Sequence, residues 1–162
     1  MSAVTIQHAD FDVAKEYAAL RDACPQAGAM VVFVGLVREF STPRPAAQGD
    51  DADINGLYLE HYEGMTEPLI EQTIGEAAQR FDILQARVVH RVGPLSARDQ
   101  IVLVGVAGHH RLATFSAAEY IMDTLKSTAT IWKKECTDGG DHWLGLKASD
   151  AQAAARWHLD PS

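Results

Sequence analysis

Cysteine, basic charge and long apolar runs are all scarce in this chain of 162 residues. Its two cysteines, Cys24 and Cys136, lie far apart without the paired spacing of a zinc site, so we interpret them as free thiols in a reducing compartment. No apolar run approaches the roughly 18 residues of a membrane span, and the N-terminus shows no signal-peptide pattern. These absences argue against a disulfide-stapled domain and predict a cytoplasmic protein.

Basic residues are outnumbered, with 14 Lys+Arg against 22 Asp+Glu and a net charge of −8. Such an excess of acid argues against a general nucleic-acid binder, which must neutralise phosphates. The distribution is uneven, however. Between Arg87 and Lys134, seven basic residues meet three acidic ones, so this segment carries +4 and the remainder −12. An acidic protein with a basic middle predicts a local site for an anion.

Several signatures of common enzyme classes are missing. No glycine-rich loop joins a strand to a helix, which argues against P-loop and dinucleotide-binding enzymes. His61, His90, His109 and His110 are scattered without metal-ligand spacing, so no metal site is predicted. The chain also shows no clear Ser/His/Asp set, which argues against an unrelated phosphate-binding hydrolase.

Strand and helix patterns are interleaved along the chain, and several strands follow one another directly. The predicted helices span about 12–23, 66–81 and 112–129, with a last one from Ser149, and the predicted strands span 4–7, 29–38, 57–62, 83–92, 100–107, 130–136 and 142–146. Thr66 is predicted to cap its helix, GPLSARD to be a turn, and residues 40–53 to be a mobile loop. The order favours an α+β fold in one domain of residues 1–162, with a C-terminal tail from about 149.

Lys126 and Lys133 are the first candidates for chemistry. Lys126 lies near the end of the predicted helix over 112–129, beside an apolar stripe. The stripe consists of Phe115, Ala118, Met122, Leu125 and Ala129. Apolar surroundings and other cations disfavour the charged form of a lysine, which can then serve as an acid, base or nucleophile. The alternative is a solvated lysine that pairs with Asp123 or stabilises the helix C-terminus.

Lys133 and Lys134 are neighbours on a predicted strand, so their side chains point to opposite faces. Lys134 shares a face with Trp132 and Cys136, and Lys133 shares one with Glu135. The pattern leaves open which face lines a pocket. Cys136 beside two lysines is a candidate nucleophile. We prefer the alternative, a small residue packed beside Trp132.

The run His109-His110-Arg111 is the second candidate, because it directly follows a predicted strand and precedes a helix. Helix N-termini with a nearby arginine bind anions. Arg38, at the end of another predicted strand, could join this site if the two strands are neighbours. The alternative is a polar strand-to-helix junction without a ligand.

Several long motifs resemble the large, catalytic subunit of molybdopterin synthase. They are GAMVVFVGLVR, LEHYEGMTE, VVHRVGPLSARDQIVLVGVAGHHR, EYIMDTLK, and IWKKE followed by GDHW, in this order between about Gly28 and Trp157. The resemblance implies an α/β hammerhead-type fold with a mainly antiparallel sheet, packed helices and a small added β subdomain. It also implies a sulfurtransferase that converts cyclic pyranopterin monophosphate to molybdopterin by inserting two dithiolene sulfurs. No metal or cofactor is implied, because the donor carries reduced sulfur.

The resemblance also implies partners. The sulfur donor is the C-terminal Gly-Gly thiocarboxylate of a small ubiquitin-like subunit, and the large subunit forms a homodimer within a heterotetramer. Neither nucleic acid nor membrane is expected to bind. The competing hypothesis is a non-catalytic dimeric module that binds an acidic C-terminal tail or a phosphate ligand.

Carried over by position, the family's catalytic lysines fall on Lys126 and Lys133, which favours the Lys133 face of the strand. The implied substrate-binding positions are Leu36, Val37, Arg38, His110, Arg111, Lys134, Glu135 and Lys147. Many relatives carry lysine where this chain has Leu36, and often arginine where it has Lys147. Lysine keeps the charge of arginine but not its bidentate geometry.

Overall fold

The computed structural model describes residues 3–38, 54–127, 131–137, 140–145 and 148–158. The predicted loop over 40–53 lies outside the described residues, as do Lys147 and the last four residues of the predicted tail. Within the described ranges, no helix combines the length and the apolar character needed to cross a membrane.

Helices and strands lie close to their predicted places. The helices are α1 (Val13–Ala23), α2 (Thr66–Phe81), α3 (Arg111–Ser127) and α4 (Ala148–Ala155), the last followed by a 3-10 turn at Arg156–His158. The strands are β1 (Val4–Gln7), β2 (Ala29–Leu36), β3 (Ile54–His61), β4 (Ile83–Arg91), β5 (Gly93–Leu95), β6 (Gln100–Gly108), β7 (Ile131–Thr137) and β8 (Gly140–Leu144).

Two local predictions are wrong. The segment predicted as a plain turn contains β5, a three-residue strand at a sheet edge with Pro94 at its centre, too short for apolar alternation to reveal. Thr66 does not cap α2, because the N-cap is Met65 and Thr66 is the first helical residue. The Thr66 side chain is fully buried, and its hydroxyl donates to the carbonyl oxygen of Tyr62 at 3.1 Å.

The first sheet has the strand order β1-β4-β6-β2, in which only β1 and β4 run parallel. Helices α2 and α3 cover one face, where fully buried Val88, Val104 and Val106 meet Ile121 of α3. Helix α1 covers the other face, with Leu20 packed against Ala107. Burial of these side chains from both faces is the main stabilising contribution to the layers.

The second sheet, β5-β3-β7-β8, is antiparallel throughout. A cluster that we call the junction core joins it to the first sheet. The cluster consists of buried Val37, Leu57, Leu59 and Leu95, with Ile101 and Ile131 packed against them. The mainly antiparallel α+β architecture with a small added sheet is therefore confirmed.

Ala129 of the predicted apolar stripe lies outside the described residues, and among the other members Phe115 differs from the prediction. Its buried residues are Thr114, Ala117, Ala118, Tyr120 and Ile121, whereas Phe115 is 61% exposed. Periodicity reports the angular width of an apolar face but not which part of it meets the sheet. Phe115 lies on the uncovered part of α3.

Candidate active site

Helix α3 divides the predicted site residues into two groups. Arg111 is its first residue and Lys126 its last but one, and 126 − 111 = 15 residues. At roughly 1.5 Å of rise per residue, about 22 Å separate the two positions. The structure therefore does not bring Arg111 and Lys126 of one chain to the same group of a ligand.

Arg38 and Lys126 lie at the same end of the molecule. Helix α3 follows β6 after the two residues His109 and His110 and packs back along that strand. Strand β2 is antiparallel to β6, with Ala29 opposite Gly108 and Leu36 opposite Gln100. The end of α3 and the end of β2 therefore meet near the start of β6, and both Arg38 and Lys126 are exposed there.

Lys133 joins them through the junction core. It lies opposite Leu59 of β3 on one side and Leu144 of β8 on the other. Leu59 is 1% exposed and packs in the same cluster as Val37 and Ile131. Val37 directly precedes Arg38, so the cluster places the end of β2 beside β7. We call Arg38, Lys126 and Lys133 the lysine end.

Lys134 points to the other face of β7, as strand alternation predicts. Its ammonium lies 5.3 Å from the ring centre of Tyr58 and 5.6 Å from that of Trp143. On this face an open cavity of about 400 Å³ is lined by Glu60, Trp132, Trp143 and Leu144. The Lys134 side chain therefore points away from that of Lys133, and its contact with substrate stays a prediction.

Val37 is buried at the end of β2, and its role in substrate binding stays a prediction. Its side chain is 3% exposed, its amide donates to the carbonyl of Asp99 at 2.9 Å, and its carbonyl accepts from the amide of Arg98 at 2.8 Å. With both backbone groups bonded, Val37 fixes the end of β2 that carries Arg38. Leu36 is 54% exposed. The side chain of Glu135 and all of Lys147 lie outside the described residues.

His110 and Arg111, which we call the histidine end, occupy the start of α3. Both are exposed, and the first turn of α3 contains no acidic residue. The Thr114 hydroxyl donates to the carbonyl of His110 at 2.8 Å. A side chain at Gly28 would collide with the carbonyl of His109, so only glycine lets β2 begin this close. The free amides and positive dipole end of α3 suit an anion here.

Asp123, the partner of Lys126 in the alternative interpretation, bonds other residues instead. One carboxylate oxygen of Asp123 accepts from Arg156 at 2.6 Å and from the indole of Trp157 at 2.8 Å. Arg80 donates to the carbonyl of Trp157 at 2.7 Å. These bonds hold the 3-10 turn at Arg156–His158 against α2 and α3. The residues are too distant in sequence for periodicity to reveal this contact.

His90 is buried, and its ring bonds a backbone group, as we expect for a histidine without metal-ligand spacing. Its Nδ1 lies 2.7 Å from the carbonyl oxygen of Arg91, and because a carbonyl only accepts, Nδ1 carries the hydrogen. Burial lowers the pKa of His90 from its ordinary 6.5 to about 4, and the charges of Lys133 and His61 act in the same direction. His90 is therefore a neutral imidazole, and the nearby positive charge of Lys133 favours this neutral form.

This pKa predicts a pH-dependent stability. Between about pH 6.5 and 4 the unfolded chain binds a proton at His90 that the folded chain does not, so stability falls as pH falls through this range. We expect His90 to account for a loss of about 2 kcal/mol between pH 7 and pH 5. Denaturant titrations at both pH values measure it. His90→Gln should lose this part of the dependence, and an unchanged dependence would contradict the assignment.

No set of three or more His, Cys, Asp and Glu side chains suited to a metal ion occurs in the described part of the chain. The lysine end instead offers three cationic side chains. Cations of this kind bind anions and stabilise negative charge that develops on an oxygen.

The chain is similar to known proteins over most of its length. The family model described as MoaE protein matches residues 6–128. The molybdopterin synthase catalytic subunit of Vibrio cholerae is 47% identical over 154 residues, covering 95% of this chain and 97% of that protein.

Solved structures show the same fold. The molybdopterin biosynthesis MoaE protein from Burkholderia ambifaria superposes with a TM-score of 0.81 at 39% identity, covering 99% of this chain and 100% of that one. Molybdopterin synthase from Staphylococcus aureus superposes with a TM-score of 0.76 at 30% identity, covering 90% and 98%. Matched over most of its length by the family model and by these relatives, the chain belongs to the MoaE protein family.

Proposed function

We propose that this chain is a sulfurtransferase that converts cyclic pyranopterin monophosphate to molybdopterin. The two dithiolene sulfurs come from the C-terminal thiocarboxylate of a small ubiquitin-like partner. Curated relatives at 41–47% identity carry the name molybdopterin synthase catalytic subunit, which supports the assignment. The observation that carries it is that the topology puts Arg38, Lys126 and Lys133 at the same end of the fold. Residues 1–162 act as one domain, in the cytoplasm.

Lys126 acts on the carbonyl of the partner's tail. Once the tail sulfur is bonded to the pterin, water attacks the tail carbonyl, the carbon–sulfur bond breaks, the sulfur stays on the pterin and the tail leaves as a carboxylate. The ammonium of Lys126 stabilises the oxyanion that forms during this attack and can carry a proton. Lys133 supports the pterin from the neighbouring strand.

Arg38 anchors the substrate phosphate. A guanidinium binds phosphate oxygens with two parallel hydrogen bonds, which fixes orientation as well as position. The bonds of Val37 to Arg98 and Asp99 hold the end of β2, so Arg38 leaves the sheet from a fixed point.

His110 and Arg111 complete the site of the second copy in the dimer. The histidine end lies about 22 Å from the lysine end along α3, too far for both to contact one phosphate. In a two-fold dimer, the histidine end of one protomer can face the lysine end of the other, and symmetry then produces two equal sites. Leu112 and Phe115, beside the histidine end, are 77% and 61% exposed and supply apolar surface for this contact.

The alternative is a dimeric module that binds an acidic tail or a phosphate without chemistry. Arg38 and the start of α3 alone would suffice for it. The location of Lys126 and Lys133 at the same end of the fold as Arg38 supports the enzyme, because binding alone does not require lysines at the reacting carbonyl.

Reconstitution tests the proposal directly. The protein is mixed with the thiocarboxylated partner and cyclic pyranopterin monophosphate, and molybdopterin and the mass of the partner's tail are measured. We expect product to form while two tails per product change from thiocarboxylate to carboxylate. Stable binding of the partner without any product would favour the binding module.

Cys136 is expected to be dispensable. The sulfur comes from the partner and need not pass through a thiol of this chain, so Cys136→Ala should form product at a rate within about twofold of the original, as for a neutral substitution. The reconstitution assay measures this, with Cys24→Ala, a buried cysteine elsewhere, as the control. Loss of sulfur transfer from an intact thiocarboxylate in Cys136→Ala alone would mean that Cys136 carries the sulfur.

A further inference from the structure

The C-terminal half of α3 carries two carboxylates on the way to Lys126. Asp123 lies three residues before Lys126, and Glu119 lies four residues before Asp123. Residues three and four apart are neighbours on a helix surface, so the Asp123 side chain is within reach of both Glu119 and Lys126. Without other contacts, repulsion from Glu119 and attraction to Lys126 would both favour a bond between Asp123 and the ammonium of Lys126.

The C-terminal 3-10 turn binds Asp123 instead. One guanidinium nitrogen of Arg156 lies 2.6 Å from a carboxylate oxygen of Asp123 and 2.7 Å from one of Glu119. The indole of Trp157 donates to the same oxygen of Asp123 at 2.8 Å. The Asp123 side chain is only 14% exposed, which limits screening of its charge by water. Arg156 therefore bridges two like charges on α3.

Aromatic packing holds this turn in place. The ring of Trp157 packs edge-on against Phe81 and Tyr120, with ring centres 5.6 and 5.5 Å apart. Arg80 donates to the carbonyl of Trp157 at 2.7 Å. Arg156 therefore extends from a turn that α2 and α3 already hold, and its approach to α3 is set before any ligand binds.

We propose that Arg156 is a positioning residue for Lys126. The inference rests on the proposed function, in which the ammonium of Lys126 stabilises an oxyanion at the carbonyl of the partner's tail. While Arg156 binds Asp123, this carboxylate does not bond the ammonium and repels anions less strongly. The exposed ammonium of Lys126 is then directed to the substrate and not to its own helix. Arg156 acts through Asp123 and lies outside the positions implied by the family resemblance.

Arg156→Met tests the inference. Methionine keeps an unbranched stem beside Trp157 but removes the charge and both hydrogen bonds that Arg156 donates to Asp123. We expect the rate constant of sulfur transfer in a single turnover at saturating substrate to fall about fivefold, the upper end of the range for an exposed ion pair such as Asp123 with Lys126. Arg156→Lys keeps a positive charge and should recover part of this rate.

Asp123→Asn in the Arg156→Met background separates positioning from stability. Asparagine carries no charge with which to hold the ammonium of Lys126, so the rate should return to within about twofold of the original. The thermal midpoint should stay low, because the guanidinium is still missing. A residue that serves stability alone predicts a double variant at least as slow as Arg156→Met, and that result overturns the inference.

Arg80→Met is the matched control. It removes a positive charge and a hydrogen bond from the same turn but leaves both donors to Asp123 in place. Its thermal midpoint should fall while its rate of sulfur transfer stays within about twofold of the original. A rate that falls in step with the midpoint in both Arg80→Met and Arg156→Met would identify Arg156 as a structural residue only.

Acetylation of Lys126 tests the inference separately from the proposed function. Acetic anhydride reacts with the neutral amine, and a bonded carboxylate favours the charged form. Peptide mass spectrometry should show Lys126 of Arg156→Met reacting about fivefold more slowly than in the original protein, relative to Lys15, whose side chain is 85% exposed. An unchanged relative rate rejects the inference and leaves the proposed function intact. If the original protein forms no product, the proposed function fails, and the acetylation rates still decide whether Arg156 keeps Asp123 from Lys126.

Discussion

Lys126→Ala should leave the partner subunit bound while product formation falls at least about 100-fold, the range lost with one acid–base group or one oxyanion stabiliser. Lys126 is exposed near the end of α3, so its removal leaves no cavity in the core. A single-turnover assay measures the transfer, and calorimetry with the thiocarboxylated partner measures binding. Accumulation of a partner tail covalently joined to the pterin through sulfur would show that release of the tail is the step that Lys126 serves.

Two variants control for charge. Lys15→Ala removes a lysine on α1 whose side chain is 85% exposed, and it should keep full activity. Lys126→Arg keeps the positive charge but gives up a proton far less readily than lysine. Partial activity in Lys126→Arg would assign an electrostatic role, and activity as low as in Lys126→Ala would assign a role in proton transfer. If Lys126→Ala changes only the affinity for the partner, the protein is the binding module.

Mixing two inactive variants should restore activity if the site combines both protomers. Lys126→Ala has an intact histidine end, and Arg111→Ala has an intact lysine end. In a dimer containing one chain of each, one of the two sites is free of substitutions and the other carries both. Half of randomly exchanged dimers are mixed and each has one working site, so about a quarter of the original activity should return.

A site built within one chain predicts the opposite result for this mixture. If Arg111 and Lys126 of the same chain served one site, every site in a mixed dimer would carry one substitution and no activity would return. The double variant Lys126→Ala/Arg111→Ala, mixed with the original protein, provides the second control. The mixed dimer then has both sites damaged once, so this mixture should lose activity on exchange while the mixture of single variants gains it.

Local structure was largely predictable from residue types and spacing. Asp12 caps α1 by accepting hydrogen bonds from the amides of Ala14 and Lys15, since an aspartate before an apolar-periodic segment favours a helix cap. The β-branched run that starts at Ala29 forms β2. Helix α2 begins and ends as predicted, although its first residue is not the cap. These features depend on neighbours a few residues away, which the pattern contains.

Long-range contacts were not predictable in the same way. Phe115 looked like a core residue and is exposed, because periodicity cannot tell which part of an apolar face the sheet covers. Trp132 and Trp143 are side chains of a kind that usually packs in a core, yet they are 45% and 55% exposed. Asp123 pairs with Arg156 and Trp157 because the chain end folds back over α3.

By itself, the sequence determined the kinds of elements, the basic middle of an acidic chain, and a family resemblance strong enough to name a reaction. It also determined that Lys133 and Lys134 point to opposite faces, because that follows from strand alternation alone. Only the tertiary structure decided which charges meet. The antiparallel pairing of β2 with β6 and the return of α3 put Arg38 and Lys126 at the same end of the fold and leave Arg111 about 22 Å from Lys126. Sequence spacing cannot supply this, because the distance between two side chains depends on the direction in which the elements between them run.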